Sequence, residues 1–142
     1  MPIVTDSGFA PDDLDARFAA PDDLPAAGPL AVDLAPDADL APVLARLSDV
    51  SAVRVAFPSF ADGRGFTIAR ALRRAGFSGR LRAAGHVIAD QYAMARRCGF
   101  DEVEIDDDLA ARQPEADWLA RADWRDNDYQ RRLGRRADLR TA

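Results

Sequence analysis

The chain has 142 residues, about one domain, and 48 % of them are hydrophobic, enough for a core. Its net charge is −5, all 19 basic residues are arginine, and there is one cysteine, Cys98, and one histidine, His86. These counts exclude a Schiff-base lysine, a phosphate loop ending in Gly-Lys-Ser/Thr, and a disulfide framework, iron–sulfur cluster or four-ligand zinc site built from one chain.

Residues 1–28 carry Pro2, Pro11, Pro21, Pro25 and many aspartates. "APDDL" occurs at 10–14 and again at 20–24, and "APDADL" follows at 35–40. These resemble helix starts, with Pro and Asp early and Leu just inside, but the first two have little apolar follow-through. The pattern predicts an irregular, acidic, Pro-rich arm over 1–28. "PLAVDLA" (29–35) reads as a first strand. "DLAPVLARLSDV" (39–50) reads as a helix with a stripe of Leu40, Val43, Leu44 and Leu47. "AVRVAFP" (52–58) is a second strand, and 66–75 a helix with Ile68, Ala71, Leu72 and Ala75 on one face. "GRLRAAGHV" (79–87) is a third strand, "IADQYAMARRC" (88–98) a helix, "DEVEID" (101–106) a fourth, alternating strand, and "QPEADWLARADW" opens a last helix near 113. Trp118, Trp124 and Tyr129 read as core or docking residues, with core and edge packing the default at helical spacing. An α/β domain over 29–130 is expected, with an Arg-rich tail at 131–142.

Two junctions repeat: "ARALRRAGF" (69–77) and "AMARRCGF" (93–100) each close a helix with Arg-Arg, a small residue, Gly and Phe. Gly76 and Gly99 suit the left-handed residue after a helix, Phe77 and Phe100 the contact that follows, and the arginines the helix's negative end. Cys98 falls where Ala75 falls in the other junction, which predicts an inert packed thiol. Strand–helix alternation with links this short implies parallel strands, so a small parallel sheet of about four strands with alternating helices is expected. It could be flavodoxin-like or half a barrel, with ligands at the carboxyl ends of the strands.

Charge is uneven along the chain: −8 over residues 1–50, +7 over 51–100 and −4 over 101–142. The central basic block reads either as an anion-attracting surface or as a solvated helix face with strand-end arginines. The first candidate loop, "SFADGRG", offers Asp62, Gly63, Arg64 and Gly65. A Gly-bracketed arginine at a helix start can bind an anion through backbone N–H groups and a bidentate guanidinium. Equally, Asp62 can cap the helix while the glycines make a turn. It is not a dinucleotide fingerprint, because Ile68 stands where the third glycine belongs. The next loop offers His86, Asp90 and Gln91. His86 is a candidate acid–base group oriented by Asp90, or an ordinary loop histidine. No metal site, cofactor motif or nucleic-acid module is expected. No opening segment has a signal-peptide layout and no apolar run approaches membrane length, so the expectation is a cytoplasmic protein that spans no membrane.

Residues 57–100 resemble the signature of a bacterial family catalogued as domain-of-unknown-function 934. Phe57, Phe60, Asp62, Gly63, Arg64 and Gly65 carry Phe-x-x-Phe-x-Asp-Gly-Arg-Gly. Arg82, Gly85, Asp90 and Gln91 carry the following segment, Arg97, Gly99 and Phe100 its ending, and Tyr129-Gln130 matches a later Tyr-Gln. Members are labelled oxidoreductases of sulfite reduction and are encoded beside assimilatory sulfite reductase, so the resemblance implies a place in cysteine biosynthesis. With one cysteine and no flavin or nicotinamide motif, redox work by this chain would require a borrowed cofactor or partner. Three readings follow. One is an accessory that binds an anionic ligand or docks on a sulfite-reduction enzyme. Another is a small enzyme acting on an anionic substrate with Asp/His acid–base chemistry. The third is a homodimer whose twin covers the open strand edges.

Overall fold

The computed structural model describes residues 1–125. Tyr129, Gln130 and the Arg-rich tail lie outside the described residues. The strands are β1 (Ile3–Thr5), β2 (Gly8–Ala10), β3 (Phe18–Ala19), β4 (Leu30–Leu34), β5 (Val50–Phe57), β6 (Arg80–Gly85) and β7 (Glu102–Glu104). The α-helices are α1 (Ala41–Leu44), α2 (Arg64–Arg74), α3 (Tyr92–Cys98), α4 (Asp107–Arg112) and α5 (Glu115–Leu119). All seven strands join one mixed sheet in the order β2-β1-β7-β6-β5-β4-β3.

From β3 to β7 each strand lies parallel to the one before it. The order never reverses, so there is no flavodoxin-like switch point. Crossovers of one hand in one direction place their helices on a single face, as in half a barrel. Alternation along the strands follows from this. Val32, Leu34, Val53, Val55, Phe57, Leu81, Ala83 and Val103 join Val43, Ile68, Ala69, Leu72, Tyr92, Ala95 and Trp118 in one apolar core. Phe57, Phe66 and Phe100 meet in that core, with ring centroids 5.0 to 6.5 Å apart.

Several elements depart from their sequence patterns. The arm is irregular only in part: residues 11–17 carry no regular structure, but Ile3 and Val4 are buried in β1, which pairs antiparallel with β7, a partner about a hundred residues away that no local pattern announces. With β2 outside β1 and β3 outside β4, the arm covers both edges of the parallel sheet by very short strands, the role that the homodimer reading gives to a twin subunit. The helix expected over 39–50 breaks at Arg46, which leaves helical geometry and donates to the Pro25 and Ala26 carbonyls at 2.6 and 3.2 Å. The last helix opens at Glu115, close to its expected start, and a short helix that the pattern did not announce, α4, precedes it and ends at Gln113, which Pro114 forces out of helical geometry. Helix α4 is capped by Asp106, which accepts from the Leu109 N–H at 2.7 Å.

Both repeated junctions are Schellman closures. Gly76 and Gly99 have φ near +101° and +114°. The Phe77 and Phe100 N–H groups each reach back five residues, to Leu72 and Ala95, at 3.0 Å. The first arginine of each pair donates to the phenylalanine carbonyl four residues on. Arg73 also takes the Gly79 and Gly99 carbonyls, which bolts the two βα units together. The junctions differ at one slot, since Cys98 is buried whereas Ala75 is exposed.

The face of the sheet opposite the helices is charged. Asp33, Arg54, Arg82 and Glu102 stand side by side in register across four strands. Arg82 is 1 % exposed. Its Nε donates to Glu102 at 2.5 Å and its Nη1 to Glu104 at 3.0 Å, while Asp12 of the arm accepts from both terminal nitrogens at 3.0 and 3.1 Å. Arg80 pairs with Glu102 and Asp13, each at 2.6 Å. At the hairpin turn, Asp6 accepts from the buried Tyr92 hydroxyl at 2.5 Å and from Arg96 at 3.2 Å. The acidic arm is therefore held by arginines of the basic block.

Removing one member of a buried charge cluster leaves its partners uncompensated. Arg82→Met is expected to cost roughly 3–5 kcal/mol in urea unfolding. Asp12 has its pKa held below the ordinary 3.8, first by the Arg82 hydrogen bond and then by the Leu14 N–H. Its contribution is complete above that ordinary value and is lost as pH falls below it. The stability deficit of Asp12→Asn should accordingly be present at neutral pH and disappear on acidification through and below 3.8.

Candidate functional site

The parallel strands deliver the loops after β5 and β6 to one edge of the sheet, and Asp62, Arg64, His86, Asp90 and Gln91 all lie along it. In the first loop, Asp62 N–H donates to the Ser59 carbonyl at 3.0 Å and Ala61 N–H to Ser59 Oγ at 3.2 Å. Asp62 Oδ1 then accepts the Arg64 N–H at 3.2 Å. The same carboxylate grips the Arg64 guanidinium with both oxygens, at 3.0 and 2.7 Å. This side-chain bond, ahead of the backbone one, lowers the Asp62 pKa. An anion reaching Arg64 would have to displace a carboxylate that already has bidentate geometry.

The two glycines of this loop differ. A Cβ on Gly65 would stand 2.4 to 2.9 Å from the Phe57 ring, so this glycine lets α2 sit down on the core. A Cβ on Gly63 would find only the Phe66 ring, at 3.9 Å. In the second loop, Gly85 has φ near +116° and the His86 N–H donates to the Phe57 carbonyl at 2.8 Å. Gln91 links the loops, its Oε1 accepting from Ile88 N–H at 3.1 Å and its Nε2 donating to the Phe60 carbonyl at 2.7 Å. Asp90 pairs with Arg121, and no hydrogen bond joins it to His86 among the described residues. His86 is exposed and lines a concavity of about 400 Å³ with Phe60, Ile88, Leu109, Arg112 and Gln113. The Cys98 thiol is buried, and burial raises its pKa, so it is held as a thiol.

The edge thus gathers all the loop residues singled out from sequence but gives most of them partners of their own. Phe60 is 60 % exposed at the tip of a loop whose polar side chains bond to one another and to its own backbone, and whose Phe60 carbonyl accepts from Gln91. A larger cleft of about 850 Å³ lies on the charged face at the carboxyl ends of β4, β5 and β6, floored by Ala56, Ala84 and Arg54. Sequence reasoning missed it. The available signal was the alternation of A-V-R-V-A at 52–56, R-L-R-A-A at 80–84 and E-V-E at 102–104, which sends charge and small residues to one face.

A family model described as bacterial protein of unknown function (DUF934) matches residues 31–139. The chain belongs to this family. No curated protein and no solved structure matches it. In this DUF934 chain, Phe57, Gly65, Gly85 and Phe100 build the core and the close approach of the two loops, while Asp62, Arg64 and Gln91 fix the loops' shape. Among the described residues no three His, Cys, Asp or Glu side chains are grouped to hold a metal ion, and no helix is long and apolar enough to cross a membrane.

The unequal glycines give a direct check. Gly65→Ala should destabilise the fold by about 1–3 kcal/mol through overpacking against Phe57, while Gly63→Ala should be close to neutral. Equal effects in thermal or urea unfolding would contradict the packing role assigned to Gly65.

Proposed function

We propose that the protein is an accessory of assimilatory sulfite reduction, in the pathway to cysteine, and that it docks on a sulfite-reduction enzyme through the edge formed by the loops after β5 and β6. The reductive chemistry belongs to the partner. The place in sulfur metabolism rests on the DUF934 resemblance, and the choice of docking over anion capture rests on the loop geometry.

One observation carries the docking reading: Phe60 stands 60 % exposed on a loop braced from within. A large apolar side chain on a rigid, pre-shaped loop loses little entropy when it enters a pocket, and such aromatic anchors dominate binding energy at interfaces. Arg64 and His86, exposed on the same edge, supply a polar surround. Anion capture is less well supported, because Asp62 already occupies the Arg64 guanidinium.

The test is titration calorimetry of the purified protein against the assimilatory sulfite reductase of the same organism. We expect a saturable complex, weakened tenfold or more by Phe60→Ala without a fall in melting temperature. Absence of binding, or equal binding by the variant, would sink the reading. A thermal shift with sulfite or sulfate that Arg64→Lys abolishes would instead return the loop to anion binding.

A further inference from the structure

We infer that the cleft on the charged face of the sheet is a binding site for a small organic cation, an ammonium or guanidinium group carried on an apolar body. The site is separate from the Phe60 edge and independent of the docking proposal.

The cleft has the size of a small-molecule site, about 850 Å³. It stands where parallel α/β sheets place ligands, at the carboxyl ends of the strands. Its floor is the in-register pair Ala56 and Ala84, on the two central strands β5 and β6. Larger side chains at these positions would fill the space, so the volume follows from residue choice. Ala35, Ala38, Pro21 and Pro42 wall it with apolar surface.

The charge of the lining selects the ligand's sign. Asp22, Asp33, Asp39 and Glu104 outnumber two cationic residues, Arg54 and Met1, whose α-ammonium lies 3.5 Å from Asp107 outside the lining. Arg54 is committed: Asp33 holds it with both oxygens, at 2.7 and 2.8 Å, and it lies over the Phe18 ring at 4.3 Å. It is poorly placed to receive an anion. Glu104 is the opposite case. It is nine-tenths buried, and its Oε1 accepts from Arg82 at 3.0 Å and from Arg54 at 3.5 Å. Its Oε2 has no hydrogen-bond partner among the described residues. No side-chain polar atom sealed from solvent lacks a partner there, so Oε2 keeps some exposure on a residue that lines the cleft. A carboxylate oxygen with a free acceptor site, on a mostly buried side chain beside an alanine floor, is a receptor for a positively charged donor.

Three probes of one shape separate the possibilities: 2-phenylethylamine, 2-phenylethanol and phenylacetate. Each would be titrated into the full chain while backbone amide resonances are followed by two-dimensional NMR. We expect the amine to shift the amides of Ala56, Ala84 and Gly85 and to bind at least tenfold more tightly than phenylacetate, with the alcohol between them. Ala56→Leu should abolish binding of all three while the rest of the spectrum stays native. Glu104→Gln should reduce the amine's advantage over the alcohol to less than threefold. Because Glu104 also braces Arg82, Asp39→Asn at the rim serves as a milder second variant, and it should weaken the amine alone. Tighter binding of phenylacetate, shifts that survive Ala56→Leu, or no response to the amine at millimolar concentration would each overturn the assignment.

Discussion

The molecule is organised around one buried guanidinium. Arg82 stands on the central strand β6, almost wholly removed from water, with Glu102, Glu104 and Asp12 around it. A sheet with helices on one face has its other face to protect. Here that face is closed by ion pairs on the β6–β7 side instead of a second layer of helices. Ionic closure is costly in desolvation and is stabilising only when geometry and partners are complete. The arm completes it. Asp12 and Asp13 bring the two carboxylates that Arg82 and Arg80 still lack after Glu102 and Glu104 are counted. The fold, the path of residues 11–17 and the open half of the face that becomes a cleft all follow from this arrangement.

This explains the charge pattern along the chain. An acidic start, a basic middle and an acidic end look like a surface property when counted in sequence. In space, many of the charges face one another: Asp12 and Asp13 meet Arg82 and Arg80, Asp6 meets Arg96, and Glu102 and Glu104 meet Arg82. Much of the basic block is therefore spent within the molecule, which removes most of the case for a general anion-attracting surface. Among the described residues, Arg64, Arg70, Arg74 and Arg97 are the exposed members of the block, and Arg64 is paired with Asp62.

The parts of the fold legible in the sequence are those encoded within about a dozen residues. Four of the five parallel strands, β4 to β7, together with α2 and the twin Arg-Arg-x-Gly-Phe closures, depend on alternation, helical spacing and a left-handed glycine, all local signals. The arm's strands were hidden because Ile3 and Val4 form a short apolar pair among prolines and aspartates, and their partner Val103 is remote in sequence. The candidate loops were found, and they do share an edge. Their individual roles were not legible, because Arg64 has its answering carboxylate two residues away and Asp90 has its own thirty-one residues away. Sequence spacing names the groups that meet but does not say whose hand each one takes.

The pairing of β1 with β7 also sets an order in time. Strands β4, β5 and β6 with their helices can assemble as the chain is made, each new βα unit docking on the last through short-range contacts. The first strand has no such neighbour. Ile3 and Val4 have no ladder on the sheet side until Val103 and Glu104 have been synthesised, after most of the chain. Until then the arm is held at its far end by β3 on β4, and nearer the first strand by Asp12 and Asp13 on Arg82 and Arg80 once β6 exists. The same ion pairs that close the charged face thus act earlier as a tether. They keep a pair of apolar residues near the sheet's unfinished edge, where a free strand would otherwise be open to pairing with another chain.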